Sequence, residues 1–368
     1  MATIGFEQFP KRLRRRSHSA LPRQIPDSWG PSNCSPPRPG GKSGHLFAPG
    51  RGRSPPVAPG RGRGRIPYHA APVTLAITLS EESAPVQESL DNLIQILDLE
   101  ELELNLFRGR SPQEDLQRVF GGQVAGQALI AAGRTVEGRQ IHSLHSYFLR
   151  PGDPKVPIIY QVDRLRDGRS FTTRRVTGIQ HGEAIFALAA SFQVDEGGVE
   201  HQAEMPEATA PENLPDRDAR LAELRARGEN VEDWMLWDRA LDTRYVDPMD
   251  YSGKLQQEPF WRVWLKANGQ LPDDPLLHRC VAAYASDMTL LDTALRPHRM
   301  AMDENMQVAS LDHAMWFHRP FRADEWLLYA HESPSMSNSR GFTTARFFTR
   351  DGKLVISVAQ EGLLRDRR

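Results

Sequence analysis

Ala309-Ser310-Leu311-Asp312-His313-Ala314-Met315-Trp316-Phe317-His318-Arg319-Pro320 is apolar enough to form a buried strand, yet it carries a hydroxyl, a carboxylate and two imidazoles. An upstream stretch, His142-Ser143-Leu144-His145-Ser146-Tyr147-Phe148-Leu149-Arg150-Pro151, ends in the same aromatic-X-Arg-Pro. Two strands of one pattern imply a duplicated unit, and the rest of the chain falls into place around that duplication.

Three anchors fix the repeat. Phe148-Leu-Arg-Pro and Phe317-His-Arg-Pro lie 169 residues apart, and Gly182 and Gly352 lie 170 apart. Phe171-Thr172-Thr173 and Phe342-Thr343-Thr344, with Arg175 against Arg346, lie 171 apart. Within copy one, Val86, Leu90, Leu93, Ile94 and Leu97 recur at helical spacing behind Pro85,. Leu104 to Arg108 reads as a short strand. Behind Gly121-Gly122, residues Gln123 to Ala132 are uncharged and rich in small side chains, the composition of a helix buried all round,. Four strands follow, His142 to Arg150, Ile158 to Arg166, Ser170 to Gln180 and Ala184 to Val194, with tight turns at Asp167-Gly168 and His181-Gly182,. Copy two repeats the order. Strands span Thr243 to Val246 and Phe260 to Lys266, and a helix spans Pro275 to Leu295. Strands then span His313 to Phe317, Trp326 to Glu332, Gly341 to Thr349 and Leu354 to Gln360, with a turn at Asp351-Gly352.

These elements predict an α+β double hot-dog. Each copy is a long buried helix wrapped by an antiparallel sheet, and the two sheets join edge to edge. Residues 85–195 form the first unit, 196–240 a connector and 241–368 the second. The connector holds a solvated helix over Asp216 to Arg227 and a short one over Asp233 to Ala240.

Residues 1–84 differ from the rest. The first seventy hold Lys11, Arg12, Arg14, Arg15, Arg16, Arg23, Arg38, Lys42, Arg51, Arg53, Arg61, Arg63 and Arg65 against Glu7 and Asp27. The net charge of -1 over 368 residues therefore leaves an acidic remainder, which argues against a nucleic-acid-binding core,. A Pro-, Gly- and Arg-rich segment buries too little apolar surface to offset its ordering entropy. It reads as a disordered extension, as an arginine-glycine nucleic-acid tail, or as sequence ahead of a native start near Val73 or Val86. Cys34 and Cys280 are too far apart in sequence for a disulfide framework or a metal motif, which suits the cytoplasm,. The sequence contains no apolar run of the roughly 18–20 residues that span a bilayer.

The two copies differ where chemistry is expected. Residues Leu354, Ile356, Val358 and Gln360 share one strand face, opposite Ala184, Phe186, Leu188 and Ala190 of copy one,. Copy one thus ends its inward face in Ala190 and copy two in Gln360. Ser310 answers Ile141. On the helices, Ala285-Ser286-Asp287 aligns with Ala125-Gly126-Gln127, placing Asp287 against Gln127. Unsatisfied buried polar groups cost roughly 1–3 kcal/mol, so a copy that keeps a hydroxyl, an amide and a carboxylate inside is expected to use them. Each also has a structural reading: Asp287 as a satisfied buried acid, Ser310 bonded to a carbonyl, Gln360 capping the sheet. Asp292 is secondary, and His313 and His318 read as core or interface histidines. Metal-ligand spacing, a nucleophile elbow and a phosphate-binding glycine loop are missing from the sequence.

Several long motifs resemble the type II acyl-CoA thioesterase family, the TesB-like double hot-dog hydrolases. They are Val119-Phe-Gly-Gly-Gln-Val-Ala-Gly-Gln127, His142 to Gly152, Tyr284-Ala-Ser-Asp287, Asp312 to Pro320 and Gln360-Glu-Gly362. The resemblance covers residue 86 to the C-terminus. It implies hydrolysis of acyl-CoA without a metal or cofactor, by an Asp, a hydroxyl residue and a Gln that fall on Asp287, Ser310 and Gln360. The hydroxyl residue is commonly Thr in the family and is Ser310 here. The Ser-Lys-Leu ending of peroxisomal relatives is replaced by Arg365-Asp366-Arg367-Arg368,. Backbone N–H groups near Gly121-Gly122 or Ser286 are expected to face the oxyanion, and Arg319 or Arg340 the CoA phosphates. A dimer or larger homo-oligomer is expected. The competing readings are a dehydratase built on His313 and Asp312, and an acyl-CoA-binding protein without catalysis.

Overall fold

The computed structural model describes residues 84–111, 117–227, 240–248, 250, 253, 255–300, 302 and 305–368. The basic extension before residue 84 and most of the short helix expected over Asp233–Ala240 lie outside the described residues. Helix α1 (Ala84–Leu97) buries Leu90, Leu93 and Leu97 and leaves its polar face outward. A hairpin of β1 (Glu100–Glu103) and β2 (Leu106–Gly109) leads to α2 (Gly121–Gly133), which is buried along almost its whole length. Then come β3 (Gln140–Phe148), β4 (Ile158–Asp167), β5 (Phe171–Gln180) and β6 (Glu183–Gln193). In the connector, α3 (Arg217–Ala226) starts at Asp216, whose side chain accepts the Ala219 N–H, and buries only Leu221 and Leu224.

The second copy runs β7 (Leu241–Tyr245), β8 (Phe260–Ala267), α4 (Pro275–Ser286), α5 (Asp292–Leu295), β9 (Met306–Ser310), β10 (Asp312–Phe317), β11 (Leu327–Ser337), β12 (Arg340–Thr349) and β13 (Leu354–Asp366). All pairings are antiparallel in one sheet of order β1-β2-β4-β5-β6-β3-β10-β13-β12-β11-β8-β7, with β9 beside β13. The order reads as a palindrome about the β3–β10 contact. There His145 sits opposite Ala314, its own counterpart at offset 169, so the pseudo-twofold axis relating the copies passes through this pair. The double hot-dog with a continuous sheet is therefore the observed architecture.

Helices α2 and α4 pack antiparallel under the sheet. Gly122 lies against the Tyr284 carbonyl, Gly126 against the Cys280 carbonyl and Gly133 against Leu276. Small residues let the two backbones approach closely, as the composition of α2 predicts.

Two expectations need correction. The helix expected over Pro275–Leu295 stops at Ser286, because the Tyr329 hydroxyl takes the Ser286 carbonyl at 2.8 Å and Asp287 becomes the C-cap. The Phe-Thr-Thr anchor is two residues out of structural register. Arg175 pairs with Ala189 and Thr344 with Ala359, so β5 and β12 correspond at 169. An even slip keeps every side chain on its face, which hid it in the pattern. The helix alignment keeps Asp287 against Gln127: Tyr160 and Tyr329 are counterparts at 169, and they reach Gln127 and the Ser286–Asp287 corner respectively. Gln127 is held by Tyr160 and by the carbonyls of Ile96 and Arg110.

The helix contact predicts a packing cost. A Cβ at Gly126 would lie 2.9 Å from Leu97 Cδ2 and 3.2 Å from the Cys280 carbonyl. Gly126→Val should lose about 1–3 kcal/mol by overpacking, read as a lower urea midpoint; an unchanged midpoint would refute the close approach.

Candidate active site

Asp287 stands where the C-terminus of α4 meets the N-terminus of α2. Its Oδ2 would lie 2.6 Å from a Cβ on Gly121, and a Cβ on Gly122 would run into the Tyr284 carbonyl. Only glycine at both positions lets the first turn of α2 reach the carboxylate. The Gly122 N–H hydrogen-bonds to Asp287, using one of the donors that every helix N-terminus leaves without an intrahelical partner,.

The sheet brings the other two groups. Ser310 ends β9, where the strand breaks at Leu311, whose carbonyl accepts the Phe148 N–H. Gln360 lies inside β13, fully buried, opposite Thr343 of β12. Ser310 Oγ donates to Asp287 Oδ1 at 3.2 Å, and Gln360 Nε2 donates to the same oxygen at 2.6 Å. The three residues chosen from the differences between the copies thus converge, although 73 residues separate Asp287 from Gln360.

Burial raises the Asp287 carboxyl from 3.8 to about 6,. The hydrogen bonds from Gln360, Ser310 and Gly122 and the charge of Arg118 pull the other way. A carboxylate balanced near neutrality can accept a proton from water and give it up again. Apolar rings stand around it. Phe148 lies against Gly121 and packs on Phe186 with ring centroids 5.1 Å apart. Phe120 meets Tyr284 edge-on at 5.0 Å.

The expected phosphate contacts separate. Arg319 bonds the Leu354 carbonyl and pairs with Glu200. It lies beyond the far end of β10, whose six residues span roughly 20 Å at ~3.3 Å per residue,, so it is removed from this site. Arg340 pairs with Glu361 at 2.8 Å; Glu361 is next in chain to Gln360 and so lies on the other face of β13, away from Asp287,. Sequence reading missed Arg118, an exposed guanidinium that bonds the Val308 carbonyl at 2.5 Å and acts on Asp287. Its position one turn before the Gly-Gly pair was the available signal.

Neighbouring strand residues face opposite ways, and this counts against a dehydratase pair. Asp312 accepts the Glu361 N–H, whereas His313 is buried inward on Ser286,. His318 bonds Ser357 at 2.8 Å as a structural histidine. Asp292 is raised to about 7 by burial, with Arg296 opposing, and takes no part in the hydrogen bonding of the trio. Among the described residues no group of three or more His, Cys, Asp or Glu side chains is placed to hold a metal, and no helix is long and apolar enough to cross a membrane.

The Asp287 shift predicts a trade of stability against charge. The native state binds this proton more tightly than the unfolded chain does, so stability falls as pH rises from about 4 to about 6,. Asp287→Asn removes the charge and keeps an acceptor. It should raise the melting temperature at pH 8, by roughly 1–3 kcal/mol equivalent, and change it little at pH 4. Equal melting temperatures at pH 8 would contradict the burial argument.

Comparison with known proteins agrees with this geometry. Residues 110–193 match the family model for the acyl-CoA thioesterase N-terminal domain, and 235–363 match the acyl-CoA thioesterase model. Acyl-coenzyme A thioesterase 8 of Mus musculus is 43% identical over 284 residues, 73% of this chain and 88% of the relative. Acyl-CoA thioesterase 2 of Haemophilus influenzae is 40% identical over 76% of this chain and 99% of its own length. A crystal structure of an acyl-CoA thioesterase II, TesB2, from Mycobacterium marinum superposes with a TM-score of 0.62 at 47% identity, over 74% of this chain and 98% of that one. The chain belongs to the acyl-CoA thioesterase family, hydrolases of the hot-dog fold.

Proposed function

We propose that the protein hydrolyses acyl-CoA to a fatty acid and CoA by attack of water on the thioester carbonyl, with Asp287 as general base. The observation that carries this is the convergence of Ser310 and Gln360 on one oxygen of a carboxylate poised at about 6. Water bound at Asp287 is held in line by the Ser310 hydroxyl and by the second N–H of the Gln360 amide. Asp287 takes its proton as the oxygen adds to the carbonyl carbon. The tetrahedral intermediate then expels the CoA sulfur, which receives that proton. No acyl-enzyme forms, because a thiol already leaves readily.

Developing negative charge on the carbonyl oxygen needs a fixed donor. The Gly122 N–H is already on Asp287, so the neighbouring Gly121 N–H of the same first turn is assigned to the oxyanion,. The acyl chain runs among Phe120, Phe148 and Tyr284, and Arg118 meets the CoA phosphates at the mouth. Self-association is placed on the outer face of the central strands, where Tyr147 is 62% and Leu149 48% exposed,. The free, buried Cys280 suits a reducing compartment such as the cytoplasm,.

A thiol-release assay across short, medium and long acyl-CoAs tests the reaction. Asp287→Asn should lose ~10²–10⁴ in kcat, and the parent's kcat/KM should rise with pH through about 6 as the base ionises. Full activity in the variant sinks the base assignment, and no turnover on any chain length leaves an acyl-CoA-binding protein. Arg118→Gln should raise KM for acyl-CoA and leave KM for acyl-pantetheine unchanged; an equal rise for both substrates would remove Arg118 from the phosphate site.

A further inference from the structure

Behind the carboxylate and Gln360 lie two further buried polar groups, Ser286 and His313, that the steps above do not use. Ser286 and Gln360 are 0% exposed and His313 is 1% exposed. His313 Nε2 is 2.8 Å from Ser286 Oγ. Ala314 pairs with Ala359, so one further step of the same register sets His313 beside Gln360 across the β10–β13 ladder,. The Gln360 side chain acts on the His313 ring as a hydrogen-bond partner. His313 Nδ1 and Gln360 Oε1 are both buried, and neither has a hydrogen-bond partner of ordinary geometry.

We propose that His313 is a positioning residue: with Ser286, it fixes which way the Gln360 amide points and so keeps the amide N–H on Asp287. The inference rests on the reading of Asp287 and Gln360 as the reacting site.

Donor logic runs along the row in one direction. An ionised Asp287 only accepts, so the NH₂ end of Gln360 must face it and Oε1 must face the histidine. Oε1 also only accepts, so Nδ1 must carry a proton. Burial lowers the His313 pKa to about 4, so the ring is neutral and Nε2 is a bare acceptor,. Nε2 then needs a donor, and the Ser286 hydroxyl supplies it. Ser286 Oγ also lies 2.9 Å from the Ala283 carbonyl. Sending its hydrogen there would turn the neutral ring over to its other tautomer. A lone pair on Nδ1 would then face the lone pairs of Oε1 in a site without water, a costly arrangement. The row therefore has one self-consistent state, Ser286 to His313 to Gln360 to Asp287.

The duplication offers an independent check. The counterparts of His313 and Gln360 are Leu144 and Ala190, which face one another across β3 and β6. Where the amide is missing, so is the imidazole.

The test compares kcat, KM and pH profiles of Gln360→Ala, His313→Leu, His313→Asn, His313→Gln and the Gln360→Ala/His313→Leu double variant. Leu is the residue copy one carries at this position. His313→Leu should lower kcat by roughly 10- to 100-fold through misplacement of the amide, with KM little changed. The acid limb should move up in pH, because the ionised carboxylate loses a donor. Arg118 and Tyr329, the other titratable groups interacting with Asp287, are untouched in these variants. His313→Asn, whose N–H can stand where Nδ1–H stood, should recover part of the rate. His313→Gln, which places its amide nearer the Nε2 position, should not. In the double variant the histidine change should add little to the loss from Gln360→Ala. Equal rates for the Asn and Gln variants, an unmoved acid limb, or losses that multiply in the double variant would each overturn the proposal. A fully active Gln360→Ala would instead bring down the site reading, and the inference with it. A slow Gln360→Ala beside a fast, folded His313→Leu would bring down the inference alone.

Discussion

A carboxylate held between two helix ends is the constraint on which the rest depends. Asp287 caps the C-terminus of its own helix, where the macrodipole disfavours an anion by ~0.3–1 kcal/mol, and the surrounding protein strips it of water,. Opposing these costs are the N-terminus of α2, two side-chain donors on Oδ1 and the more distant Arg118. Charge-assisted hydrogen bonds are worth ~1.5–3 kcal/mol each. The two sides nearly cancel, and desolvation wins by about two pH units,. A stronger set of donors would leave an inert carboxylate. A weaker one would leave a neutral acid at physiological pH.

That balance explains several features that look unrelated. The glycines of α2 are required because a side chain at Gly121 would occupy the space of the carboxylate. The break in α4 after Ser286 is secured by the Tyr329 hydroxyl, which takes the last carbonyl. The joint between β3 and β10 is required because it sets the first copy's helix beside the second copy's polar strands. Copy one supplies a helix end and copy two supplies the side chains, so neither unit contains the site alone.

The sheet was legible from strand periodicity and turn residues because side chains there alternate with a period that survives duplication. The candidate trio was legible because its members break the symmetry between the copies. The helix comparison named Asp287 by setting it against Gln127, and the equivalent tyrosines of the two copies keep that pairing. What could not be read was local competition for hydrogen bonds. Whether α4 runs on past Ser286 depends on a hydroxyl 43 residues away. Likewise, Arg118 and Arg319 look alike in sequence. Only the strand geometry separates the arginine beside the carboxylate from the one at the far end of β10.

A doubled fold offers two such seams, and only one carries the chemistry. At the second, the C-terminus of α2 meets the N-terminus of α4, and the places of Ser310 and Gln360 are taken by Ile141 and Ala190. The Leu276 side chain fills the space at Gly133. In the position of Thr343 stands Arg174, 1% exposed, which donates to Thr135 through both its hydroxyl and its carbonyl and pairs with Asp167 at 2.6 Å. A cation belongs at a helix C-terminus, where it is favoured by the dipole that penalises Asp287 at the equivalent place. Keeping a second buried carboxylate would add its desolvation cost again. Leu276 and Arg174 instead turn that seam into packed structure, and the fold retains the cost of a buried anion only where a water molecule is to be deprotonated.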